Sequence, residues 1–200
     1  LIVSRGLKKT PYQHPNANIK GSTLVIIPEH KKADKTVNKQ GISLVTVNIR
    51  RGTQYIQDPR LNTLSKLNCI LACIEADKAG ADEGIMLDIN KNVSTCNSTN
   101  FFIIKNNQVW TSKGLYCLPG ITRQMVIDIC KEENIKVYEK DFKIEDVHSS
   151  DEAFVTGTFA GIIPAVSIDG YKISGGIRGK ITHQLQKFYD KKLISLYPKV

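Results

Sequence analysis

Tyr116-Cys117-Leu118-Pro119-Gly120-Ile121-Thr122-Arg123 is the stretch on which the fold turns. Pro119-Gly120 breaks a run of strand-like residues. Val126, Ile127 and Cys130 then recur as they would on one face of a helix. A helix starting here is expected to leave backbone N–H groups free at Gly120, Ile121 and Thr122, beside the Thr122 hydroxyl and the Arg123 cation. Unpaired N–H groups and the positive end of the helix dipole favour an anion, a phosphate above all. An ordinary loop-to-helix junction uses the same residues, so the neighbouring segments must decide.

On the N-terminal side, Val93–Cys96, Asn100–Lys105 and Gln108–Thr111 read as strands, with hairpin chemistry at Asn106-Asn107. Glu83–Asp88 reads as a short buried strand. Leu64, Leu67, Leu71 and Ile74 have helical spacing and predict a helix over 63–79, closed by Gly80. Ile42–Ile49 alternates as a strand does, and Ser22–Ile27 is a further strand. On the C-terminal side the expected elements are a strand at Lys136–Glu139, a helical turn at Ile144–Val147, strands at Glu152–Thr156 and Ile162–Ile168, a tight turn at Asp169-Gly170, and a last helix over Lys180–Leu196. Hairpins mixed with crossovers point to an α+β domain, not a doubly wound parallel sheet.

The 200 residues carry 41% hydrophobic and 24% charged side chains, as a folded domain does. No apolar run is long enough for a membrane span, and no signal peptide is visible. The formal charge of +9 raises nucleic acid as a partner, but the lysines are scattered and lack interleaved aromatics, which argues against it. The five cysteines are odd in number and form no CxxC pair, and His14, His30, His148 and His183 lie far apart. No metal site is expected, and free thiols fit a reducing compartment, the cytoplasm.

Three segments are rich in hydroxyl and amide groups: Ser94–Asn100, Gly120–Arg123 and Thr156–Ala160. Together with Gly80–Asp88, Asn100-Phe101-Phe102, Leu118–Arg123, Asp151–Phe154 and Pro164-Ala165-Val166, their order resembles the class IV (fold-type IV) aminotransferases that use pyridoxal 5′-phosphate. Branched-chain and D-amino-acid aminotransferases belong to that group. The resemblance runs from Arg5-Gly6 to about Tyr189. It implies the family's large C-terminal domain, a mixed sheet with a barrel-like core and flanking helices, over 23–200. Residues 1–22 would be an interdomain segment or a remnant of the smaller N-terminal domain, which is otherwise missing.

The resemblance also implies roles. Ile121, Thr122 and Thr158 would hold the cofactor phosphate, Thr95 would face the pyridine nitrogen, and Phe159 and Ala160 would lie near the substrate carboxylate. Substrates would be an amino acid, with branched-chain ones in view, and a 2-oxo acid, on a homodimer. Two positions depart from the family. Its Schiff-base lysine stands about 13 or 14 residues before the glutamate that is Glu75 here, which reaches Asn62 or Leu61. Neither forms an imine. Lys66, at a position where branched-chain members place a tyrosine near the reactive carbon, is the candidate replacement. At the pyridine nitrogen Thr95 stands where the family has a carboxylate, so the ring would drain electrons less well. The alternative is a catalytically degenerate member that acts as a cofactor-binding or protein-interaction module.

Overall fold

The computed structural model describes residues 1–198. The chain divides into two compact units, at Lys32/Ala33. In the first, β1 (Ile2–Ser4) pairs antiparallel with β2 (Thr23–Val25), Ile2 opposite Val25. The sequence places the boundary between residues 22 and 23. The division falls later because the strand at Thr23–Val25 pairs with Ile2–Ser4.

The second unit opens with α1 (Val37–Gln40) and β3 (Ile42–Thr46), followed by α2 (Leu67–Lys78), β4 (Glu83–Leu87), β5 (Val93–Cys96), β6 (Asn100–Lys105) and β7 (Gln108–Thr111). Then come α3 (Ile121–Glu132), β8 (Val137–Glu139), α4 (Ile144–His148), β9 (Glu152–Gly157), β10 (Gly161–Ile168), β11 (Tyr171–Lys172) and α5 (Lys180–Leu196). Nine strands form one sheet in the order β5-β4-β3-β10-β9-β6-β7-β8, with β11 added on β10. Pairs β10–β3, β3–β4 and β7–β8 are parallel and the others antiparallel. This is the expected α+β domain, a curled half-barrel sheet with helices against it.

Strand alternation builds two cores. Phe101, Ile103, Ala153 and Val155 point to one face, where Leu44, Ile85, Ala165 and Ile168 meet them. Phe102, Ile104 and Phe154 point to the other, against Val126, Ile127 and Cys130 of α3 and Leu185 and Tyr189 of α5. Phe102 and Phe154 stack with ring centroids 4.8 Å apart. Turns form where the sequence places them: Asn106 and Asn107 both take positive φ, as do Asp169 and Gly170, the geometry a two-residue hairpin needs.

Two of the expected boundaries shift most. The strand read over Ile42–Ile49 ends at Thr46. There the Asp169 carboxylate takes both the backbone N–H and the hydroxyl of Thr46. The helix read over 63–79 begins only at Leu67. Residues 63–66 are held in turns, with Thr63 N–H donating to Leu61 O, Lys66 N–H to Leu64 O, and the Gln57 carboxamide to the Thr63 hydroxyl. The face that α2 buries consists of Ala72 and Ala76, against Val47 and Met86.

Candidate functional site

The site is built outward from Glu83, buried at the start of β4. Its carboxylate accepts the backbone N–H of Ser98 at 3.0 Å, the Thr99 hydroxyl at 2.6 Å, and the Ser98 hydroxyl. Asn97 accepts the Gly84 N–H at 2.7 Å, and the Thr95 hydroxyl donates to Thr99 O at 2.7 Å. The β5–β6 turn is thus closed by its own polar groups, and Thr95 is buried inside it. Burial, with the Glu83 carboxylate second, pushes the Cys96 thiol well above its ordinary range. Cys96 therefore stays protonated and is a packing residue, not a nucleophile.

Asn100 joins this turn to the N-terminus of α3. Its side-chain amide donates to Leu118 O at 3.0 Å. A Cβ on Gly120 would lie 2.2 Å from Asn100 Oδ1, so only glycine lets the strand and the helix start approach this closely. Gly120 is the N-cap, and the first helical bond runs from Gln124 N–H to Gly120 O. That leaves the N–H groups of Ile121, Thr122 and Arg123 without intrahelical partners. The expected set shifts by one residue, because Gly120 N–H donates to Leu118 O. Arg123 also leaves the expected anion seat. It is buried, with Nη2 donating to Ser112 O at 2.8 Å and to Glu139 Oε2 at 2.7 Å, and its charge is used in tying α3 to the sheet edge.

The third segment enters through sheet register. Thr156 on β9 lies opposite Asn100 on β6, so the two side chains share a face. Thr156 Oγ1 is buried and has no hydrogen-bond partner among the described residues. A Cβ on Gly157 would touch the Thr99 methyl at 3.5 Å. Beyond it Thr158 and Phe159 are exposed and Ala160 is half-buried.

Beside this cluster lies a cavity of about 510 Å3, walled by Thr95–Asn100 and Leu118 on one side. A strap running from Ile49 to Leu71 forms the other. Arg51 pins the strap: Nε donates to Tyr116 O at 3.0 Å and Nη1 to Cys69 Sγ at 2.8 Å. Lys66, the N-cap of α2, lines the cavity and is exposed, and Asn62 lines it too. Among the sequence-expected residues, Lys66 and Thr95 therefore share one cavity. Ile121, Thr122, Thr158, Phe159 and Ala160 are not in its lining, and Ile121 instead lines a separate pocket with Gly120, Gln124 and Met125. The Ile121 side chain is 74% exposed, so what it can offer inward is its N–H. Asn100 appears in the sequence only as part of a motif. Glu83 likewise appears only inside the Gly80–Asp88 motif, and Arg51 had no signal, because the partners of both lie 15 to 65 residues away.

A family model described as Amino-transferase class IV matches residues 1–168. The chain belongs to the class IV aminotransferases. It is 39% identical over 191 residues to the branched-chain-amino-acid aminotransferase-like protein 2 of Arabidopsis thaliana, covering 96% of this chain and 34% of that protein. It is 38% identical to a branched-chain-amino-acid aminotransferase of Pseudomonas aeruginosa, over 76% of this chain and 50% of that one. Among solved structures, the branched-chain amino acid aminotransferase from Thermobaculum terrenum in its PLP-form superposes with a TM-score of 0.77 at 26% identity, covering 82% of this chain and 54% of that one. The enzyme from Thermoproteus uzoniensis with norvaline gives 0.74 at 31% identity, over 80% and 53%. The chain thus spans about a third to a half of the length of these relatives.

The class IV family uses pyridoxal 5′-phosphate, and the residues present fit that group at one end better than at the other. The cavity has the size of small-ligand sites, and its lining residue Asn100 lies opposite Thr156, whose hydroxyl has no partner among the described residues. Thr95, expected from the resemblance to face the ring nitrogen, spends its only proton on Thr99 O. Its oxygen can accept a hydrogen bond but supplies no negative charge.

Proposed function

We propose that this chain is the cofactor-binding part of an aminotransferase that moves an amino group between an amino acid, a branched-chain one as first candidate, and a 2-oxo acid. The observation that carries this reading is one cavity lined by Thr95–Asn100 and Leu118 with an amine, Lys66, in its wall, where Asn100 bonds Leu118 ahead of α3 and pairs opposite Thr156. Pyridoxal 5′-phosphate, when bound, supplies an aldehyde carbon that takes up an amino group and a ring that draws electrons from the substrate carbon. The N–H groups of Ile121 and Thr122 and the hydroxyls of Thr122 and Thr158 are assigned to the phosphate. Lys66 is assigned the covalent attachment and the proton transfers at the substrate carbon, replacing the lysine that Asn62 cannot supply. Thr95 would accept a hydrogen bond from a protonated ring nitrogen. The N–H groups of Phe159 and Ala160 would serve the substrate carboxylate. Five free cysteines fit the cytoplasm, and a homodimer, typical of the family, fits the apolar side chains that α2 leaves exposed.

The Thr95 hydrogen bond and the Asn62 substitution favour a second reading, a member that binds the cofactor without transaminating. Titration with pyridoxal 5′-phosphate, followed by visible absorbance, separates the two. The first reading expects a new visible band that Lys66→Ala abolishes, together with amino transfer from leucine to 2-oxoglutarate. Saturable binding without that band and without transfer would establish the second and remove the first.

A further inference from the structure

The loop Thr158–Ala160 connects β9 to β10, and two of its residues carry exposed side chains. What holds its backbone lies about 120 residues earlier in the chain. Asn38, in the single turn of α1, donates from Nδ2 to Ala160 O at 2.9 Å and to Ile162 O at 3.1 Å. Both partners are carbonyl oxygens, so the amide can face them only with its NH2 group. α5 closes the arrangement. Gln186 Nε2 donates to Asn38 O and to Ile162 O, each at 2.9 Å, and Gln186 Oε1 accepts Arg178 Nη1 at 3.0 Å. Gln186 is buried, and its carboxamide is fully used. At the loop's far end Gly161 takes φ of +71°, and a Cβ there would sit 2.9 Å from the Tyr189 ring. The backbone at Ala160–Ile162 is therefore clamped from two sides, while Thr158 and Phe159 remain open to a ligand.

The geometry points to Asn38 as a positioning residue. Through Ala160 O it sets the direction of the Thr158 hydroxyl and of the Phe159 and Ala160 N–H groups, and so the phosphate grip of the site. The link to phosphate rests on the function proposed above; the clasp itself rests only on the hydrogen bonds. Asn38 touches no cavity wall, so its effect has to pass through the loop. It is half-buried, and Asn38→Ala removes two hydrogen bonds without opening a large core cavity.

Two measurements on the full chain test this. Amide hydrogen exchange of the unliganded protein should show Gly161–Ile163, at the start of β10, exchanging about tenfold faster in Asn38→Ala, with α3 and β6 unchanged. Affinity for pyridoxal 5′-phosphate should fall about tenfold in the same variant, while affinity for pyridoxal, which lacks the phosphate, stays the same. Asn38→Asp, which keeps the shape but turns an acceptor toward two carbonyls, should lose at least as much. In a Thr158→Ala background the Asn38→Ala loss should shrink, because the two act through one contact. Unchanged exchange at Gly161–Ile163 would overturn the clasp, and an equal loss for both ligands would overturn its role at the phosphate. If the wild-type chain bound neither ligand, the proposed function and the phosphate role would both fall, and the exchange result would still decide the clasp.

Discussion

Two helices of twelve residues flank the candidate site, and they are built in opposite ways. α3 buries Val126, Ile127, Ile129 and Cys130 between the sheet and α5. α2 buries only Ala72 and Ala76, while Leu67, Ile70, Leu71 and Ile74 stay exposed. The small residues are what the contact requires: a Cβ on Gly84 would lie 2.7 Å from the Val47 side chain and 3.1 Å from Ala72 O, so α2 sits almost on the strand. The end of the site that starts α3 therefore rests on a fully packed core. The end that starts α2, where Lys66 stands, is set by a thin contact and by the turns of the strap. The parts proposed for anion binding and for amine chemistry thus differ widely in how well they are packed.

Truncations should expose that inequality. Ile127→Ala should cost about 2–5 kcal/mol in urea unfolding, the usual loss for a buried branched aliphatic side chain. A loss under about 1 kcal/mol would show that α3 is not the rigid partner. Gly120→Ala should cost about 1–3 kcal/mol, because the added methyl meets Asn100 Oδ1. It should also weaken phosphate binding, whereas Gly80→Ala, where a methyl would meet nothing but φ is +73°, should act on stability alone.

Thiol chemistry sharpens the contrast further. Burial pushes Cys130 of α3 up to about 12, while Cys73 of α2 is exposed. An alkylating reagent at pH 8 should label Cys73 on the order of tenfold faster than Cys130 or Cys96. A folded value raised above the ordinary 9.0 means that the stability Cys130 supports is intact below pH 9 and is lost as pH rises toward 12. Cys130→Ser should flatten that alkaline loss in a pH series of unfolding curves. The smallest effect is expected on α2: Leu67→Ala should change stability by no more than about 0.5 kcal/mol in the isolated chain.

Much of the fold is legible because its signals are local. Asn106-Asn107 and Asp169-Gly170 announce hairpins through residues that tolerate positive φ. Helix α5 runs from Lys180 to Leu196, where the sequence places a last helix. The start of α2 is hidden because Leu64 continues a helical spacing that the Gln57–Thr63 hydrogen bond interrupts. Residues that hold the site together are less visible. Glu83 closes the Ser98-Thr99 turn, Arg51 pins the strap and Glu152 caps α5 through the Ile181 and Thr182 N–H groups. Each works across a sequence gap that no periodicity or turn motif records. Thr95 and Lys66 come from the family resemblance, and the structure adds that they face one cavity.

Borohydride reduction of the protein with pyridoxal 5′-phosphate, followed by digestion and mass spectrometry, tests the central claim most directly. The account predicts a pyridoxyl group on the peptide that contains Lys66, and its loss in Lys66→Ala. A label that survives Lys66→Ala, or no label at any lysine despite saturating cofactor, would contradict it.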